Sequence, residues 1–174
     1  MPPVEAWFYI CALVLAAAGA LKLRDPVPTA GALRAVGWPS APPLVRGLGA
    51  VEVAAGATGL VVGGIAGAVA VGALYAGFAV FIVVALRRTT PLQSCGCFGQ
   101  ADTPPGVRHL VVCLAAVAGA VWLGATGGES LVDRLGSLPA LGAVIYTAGL
   151  AAGVYAVYLI LTRLGGPTPA AGGR

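Results

Sequence analysis

Two of the four cysteines lie one residue apart, in Ser94-Cys95-Gly96-Cys97-Phe98-Gly99, a polar, sulfur-rich stretch between two long apolar runs. Thiols in this arrangement suit disulfide exchange or soft-metal binding. Gly96 and Gly99 permit a tight turn that brings both sulfurs to one side. A disulfide between residues i and i+2 closes a small, strained ring, and strained, exposed disulfides exchange readily. A helix is predicted shortly after the pair. Its N-terminal dipole favours a thiolate, and Arg87, Arg88 and Arg108 add positive charge nearby. The plain alternative is two small apolar residues that happen to share a loop.

The other chemistry-bearing residues are few. Glu52 is the one carboxylate deep in an apolar run, and an intramembrane acid is a functional candidate by default. It could accept a proton during thiol exchange, or pair with Lys22 or an arginine to fix helix packing; pairing is the favoured reading. His109 and Cys113 stand at i and i+4, on one face of a helix. Each has a plainer reading, His109 as an interfacial polar residue and Cys113 as a small buried hydrophobe. Together with Cys95 and Cys97 they form Cys-x-Cys…His-x3-Cys, a set able to hold zinc or Cu(I). Cys11, in the middle of an apolar run, reads as packing. Lys22 and Arg24 close a helix and read as interfacial anchors.

These residues need a frame, and the composition says which kind. Of 174 residues, 59% are hydrophobic and only 9% are charged, with mean hydropathy +0.94. A soluble domain carries about a quarter charged residues, so this chain cannot cover a water-facing surface and suits a bilayer. The net charge of +4 is spread out, and no basic run with interleaved aromatics points to nucleic acid. The 27 glycines fit helices that pack closely in lipid. Pairs such as Gly63/Gly67 and Gly149/Gly153 have small-xxx-small spacing, which here indicates close packing and no more.

Five apolar segments are predicted as membrane helices: Val4–Leu21, Leu44–Val62, Ala68–Leu86, a fourth from just after Pro105 to about Ala125, and Leu138–Leu161. Trp7, Phe8 and Tyr9 suit an interfacial aromatic belt. Ala16-Ala17-Ala18-Gly19-Ala20 could pass for a signal-peptidase site, but no basic n-region precedes it, so the first helix is read as uncleaved. Residues 25–43 form a proline-rich loop in which Thr29–Val36 is a short interfacial helix, Thr29 its N-cap and Gly37 its stop. Gly63–Gly67 is a tight connection, and Thr103 before Pro104-Pro105 looks like an N-cap followed by an N1 proline. Gly127-Gly128-Glu129 opens a short loop, and the tail Gly165–Arg174 is expected to be disordered.

Cys95-Gly96-Cys97-Phe98-Gly99 between the third and fourth helices resembles the signature of the MauE proteins, within the MauE/DoxX group of redox-associated membrane proteins. Lys22 ending the first helix, Glu52 within the second and Arg108 at the start of the fourth agree with it, over about Leu13 to Leu123. Where an Asn-like residue is expected after the arginine, this chain has His109. The resemblance implies a role in maturing a disulfide-rich partner alongside a thioredoxin-like protein. The arrangement is also similar to the bundle of vitamin K epoxide reductases, where a redox cysteine pair opens the fourth helix; that likeness is architectural.

The expected fold is therefore an all-α polytopic membrane bundle, four core transmembrane helices plus a fifth, with residues 1–164 as one MauE/DoxX-like domain. The expected function is thiol–disulfide exchange. Cys95 and Cys97 act as the redox pair, Glu52 as the acid, and Lys22, Gly96, Phe98, Gly99 and Arg108 support them. The lipid bilayer surrounds the protein, and a thioredoxin-like protein, client thiols or a quinone serve as exchange partners. Soft-metal binding at Cys95, Cys97, His109 and Cys113 is the alternative. Nine of the ten basic residues, all but Arg134, fall on the cysteine-loop side, and the positive-inside rule puts that side in the cytoplasm. Oxidation of exported proteins needs it outside, where disulfides persist. The expectation adopted is a plasma-membrane protein with the loop at the outer face.

Overall fold

Backbone groups in a bilayer must be satisfied within the segment, so long apolar runs fold as helices. The computed structural model describes residues 3–88 and 103–163. They form α1 (Pro3–Arg24), α2 (Val27–Ala35), α3 (Pro42–Val61), α4 (Gly64–Leu86), α5 (Val107–Thr126), α6 (Leu131–Ser137) and α7 (Ala140–Thr162). Among the described residues, α1, α3, α4, α5 and α7 are long and apolar enough to cross a membrane. At 20 to 23 residues each, they match the roughly 20 needed for ~30 Å of hydrocarbon. The protein is an all-helical, multi-pass membrane bundle. The tail 165–174 and the loop residues 89–102 lie outside the described residues.

Helix α1 runs through the centre, packed against α3, α5 and α7. Phe8 and Tyr9 are fully buried on it, and the Trp7 Nε1–H donates to the Ala115 carbonyl of α5 at 3.0 Å. The aromatic-belt reading is thus wrong. Phe8 and Tyr9 point into the bundle, and the half-buried Trp7 is tied to the backbone of α5.

Small residues set the α1–α3 distance. A Cβ added at Gly49 would stand 2.7 Å from the Gly19 carbonyl oxygen, and one at Gly56 would stand 2.6 Å from that of Ala12. The sequence pairs singled out earlier are not this seam. Gly149 has open space around it, and Gly67 and Gly153 pack against Gly59 and Ile10. We expect Gly49→Val to destabilise the protein by about 1–3 kcal/mol, the usual cost of overpacking. Gly47→Ala, whose new methyl meets nothing within 4 Å, should leave stability unchanged or slightly raised. Thermal unfolding in detergent checks both.

At one end of the bundle α3 turns into α4 through Gly63 and Gly64, at φ +62° and +53°. The connection is Val62 and Gly63, not Gly63–Gly67, because α4 begins at Gly64 and Gly67 stays helical and packs on Gly59. The Gly64 N–H donates to the Gly128 carbonyl at 3.0 Å, and Tyr9 donates to that of Glu129 at 2.9 Å. Helix α6, absent from the sequence reading, follows. The Ser130 hydroxyl caps it, accepting from the Asp133 N–H at 3.1 Å. Arg134 then pairs with Glu5 at 2.6 Å and Glu129 at 3.6 Å. Burial pulls the Arg134 guanidinium down, but these two carboxylates outweigh it and hold it above its ordinary value.

At the other end, Thr103 donates to the Leu161 carbonyl of α7 at 2.6 Å, and Arg88 donates to the Val36 carbonyl just after α2. Thr103 is thus not an N-cap. Gly106 precedes α5 in extended conformation, and Thr103 is spent on the neighbouring helix. Helix α2 starts at Val27 rather than at a Thr29 cap, since Pro28 supplies the preset φ of a first turn. It stops at Gly37, φ +78°, as its glycine predicts.

Candidate functional site

The close α1–α3 seam carries one turn further to a buried ion pair. Gly19 and Lys22 lie on one face of α1, Gly49 and Glu52 on the opposing face of α3. Lys22 Nζ donates to Glu52 Oε2 at 2.8 Å, with the two side chains 4% and 0% exposed. Lys22 is therefore no interfacial anchor. Helix α1 ends level with Gly49, several residues inside the first turns of α3, so Lys22 stays within the bundle, while Arg24, the last residue of α1, is exposed. Glu52 is ten residues into α3, about 15 Å of helix rise from its start. Its Oε1 is buried with no hydrogen-bond donor among the described residues. The Lys22 ammonium also sits 5.6 Å from the Phe78 ring centre, within cation–π range.

Two cavities meet at Lys22. The larger, about 780 Å³, lies between the first half of α3 and the second half of α4, with α2 and Trp38 at its end. The smaller, about 40 Å³, lies inside the bundle and is lined by Lys22, His109, Cys113 and Tyr75 among others. Phe78 and Phe81 border both, so with Lys22 they form the partition. His109 is 3% exposed, which corrects its reading as an interfacial residue. Its ring turns inward from the first turn of α5, one helical turn from Cys113. Cys113 and Cys11 are both buried, as expected for packing thiols, and the Cys11 carbonyl accepts from Tyr75 at 2.9 Å.

Arg108 occupies the first turn of α5, half-buried. Arg87 is exposed at the end of α4. Arg88 is taken up by Val36, so α2 shares the charge that the sequence assigned to a thiolate. Cys95, Gly96, Cys97, Phe98 and Gly99 lie outside the described residues. Arg88 and Thr103, which flank their segment, both stand at the end of the bundle that holds Lys22, α2 and the C-terminus of α7. Among the described residues, no three His, Cys, Asp or Glu side chains gather as a metal site.

Sequence reasoning found Glu52, Lys22, His109 and Cys113, but not the cavity beside them. Trp38, Phe78 and Phe81 carry it, and aromatic spacing on an apolar helix gives no hint of a void.

No curated protein and no solved structure matches the chain. A protein-family profile described as methylamine utilisation protein MauE matches residues 3–126, from the start of α1 to the end of α5, and leaves α6 and α7 beyond it. With most of its length matched, and with five helices fit to cross a bilayer, the chain belongs to the MauE family of membrane proteins.

Proposed function

We propose that the protein is a membrane thiol–disulfide redox component. Cys95 and Cys97 cycle between dithiol and disulfide and exchange with a thioredoxin-like partner or a client. The Cys97 thiolate attacks a partner disulfide and forms a mixed disulfide. Cys95 then attacks Cys97, releasing the partner as a dithiol and leaving the Cys95–Cys97 disulfide. In reverse, the same steps oxidise a partner dithiol and load two electrons and two protons onto the pair. The observation that supports this reading best is the convergence of Lys22–Glu52 and the His109–Cys113 cavity at the bundle end where Arg88 and Thr103 flank the cysteine segment. The Lys22–Glu52 pair at that end can pass protons on by exchanging one between ammonium and carboxylate. Glu52 acts there through Lys22.

In this reading the pair faces the outside of the plasma membrane, since disulfide exchange with exported proteins takes place there. A membrane-impermeant thiol reagent applied to intact cells should label Cys95 and Cys97 only after mild reduction. The buried Cys11 and Cys113 should stay unlabelled. Labelling that needs the membrane opened first would place the pair in the cytoplasm and remove the export role. Soft-metal binding is a second reading, because His109 and Cys113 line one cavity. Stoichiometric copper or zinc in the purified protein would favour it.

A further inference from the structure

The 780 Å³ cavity falls within the roughly 300–1,000 Å³ typical of small-molecule sites. It has a direction. α3 and α4 touch at their hairpin end, where Gly67 meets Gly59, and the cavity lies between them toward the other end. Its rim residues Leu44, Val51 and Val80 are each more than half exposed. In a multi-pass bundle this rim faces acyl chains, so the occupant arrives through the membrane.

The walls are apolar and aromatic. Trp38 and Phe81 stand edge to face at 5.7 Å, and Phe78 lies beside them. Two polar side chains line it, Thr29 from α2 and Lys22 from the back. Lys22, nine-tenths buried and more, lines the cavity and is held by Glu52. Because the carboxylate neutralises the ammonium, the site carries no net charge. An anionic headgroup would find no free cation here, and a cationic one would meet the ammonium first. A neutral, flat acceptor of hydrogen bonds fits, with an apolar tail running out between α3 and α4.

We propose that this cavity binds a lipid-soluble quinone, its ring against Trp38, Phe78 and Phe81 and one carbonyl accepting from Lys22 Nζ. The inference deepens the thiol–disulfide reading, on which the electron transfer rests, by naming the acceptor. Oxidising the Cys95–Cys97 dithiol to a disulfide releases two electrons and two protons. The quinone takes up both to become the quinol, so the exchange balances with no further reagent. Lys22 borders this cavity and the interior one alike, which makes it the polar link from the bundle interior to the ring.

The probe is a short-chain ubiquinone analogue titrated into the purified, detergent-solubilised full chain, read by quenching of tryptophan fluorescence. Saturable quenching is expected, and Trp38→Phe should remove most of it. Gly77 lines the cavity, and its added Cβ would meet nothing within 4 Å, so Gly77→Leu fills the void without a backbone clash. That variant should fold normally and bind at least tenfold more weakly. Lys22→Met should weaken binding too, but Gly77→Leu keeps the test valid if Lys22→Met fails to fold. A protein with Cys95→Ser and Cys97→Ser should bind as tightly as the unaltered chain. Absence of saturable quenching, equal affinity in Gly77→Leu, or displacement by a long-chain hydrocarbon as effective as by the quinone would each overturn the proposal. Saturable binding at this site without reduction of the quinone by the dithiol would leave the site standing and sink the relay.

Discussion

Lys22→Met is expected to be among the most damaging single substitutions outside the cysteine loop. It leaves Glu52, fully buried, with no counter-ion and with both carboxylate oxygens unsatisfied among the described residues. Breaking a buried pair by removing one partner costs about 3–5 kcal/mol, because the remaining charge stays out of water. Glu52→Leu strands the ammonium in the same way. Lys22→Met combined with Glu52→Leu removes both charges and should recover most of the lost stability, since apolar side chains of similar volume replace buried pairs at little cost. Thermal unfolding of the four proteins in one detergent gives the coupling directly. If the double variant is as unstable as the sum of the singles, the two residues do not act as a pair. If Lys22, which lines both cavities, links them as proposed, the recovered double variant should still lack redox turnover.

The membrane helices were legible because length and hydropathy are almost sufficient in a bilayer, where the backbone has no other way to satisfy itself. Boundaries were less so. The run at Gly63–Gly67 reads as a connection in water-based terms, but a membrane helix keeps Gly67 because Gly59 packs against it. The short α6 escaped because seven residues carry little periodicity. Its one signal is Ser130 three residues ahead of Asp133, an N-cap pattern. Phe8 and Tyr9 looked like belt residues because an aromatic cluster at the start of a first helix suits an interface. Whether that helix is central or peripheral is not written in its own sequence.

Glu52 showed itself as a lone acid in an apolar run, and Lys22 was named among its possible partners. The preference for Lys22 as an anchor failed for a geometric reason. The face of α1 that carries Lys22 packs on α3 at Gly49, so this side chain is buried although Leu21, Leu23 and Arg24 around it are exposed. The Gly19–Gly49 contact that fixes the pair was hidden among 27 glycines. A void depends on where side chains are missing, and no single residue announces it.

Replacing either Cys95 or Cys97 by Ala should abolish thiol–disulfide turnover, since a lone thiol cannot close the disulfide that carries the two electrons. The two variants should differ in what they trap. In the proposed relay Cys97, nearer in sequence to the start of α5 where the helix dipole favours a thiolate, is the attacking thiol and Cys95 resolves its mixed disulfide. Cys113→Ala should leave turnover intact, whereas a three-thiolate metal site would lose affinity. The most direct measurement is to co-express the thioredoxin-like partner with Cys95→Ala and with Cys97→Ala, quench with acid, and separate the proteins without reductant. A reducible adduct of chain and partner is expected with Cys95→Ala and far less with Cys97→Ala. Absence of an adduct in both variants, with the unaltered pair staying reduced across glutathione buffers while it holds a metal, would contradict it.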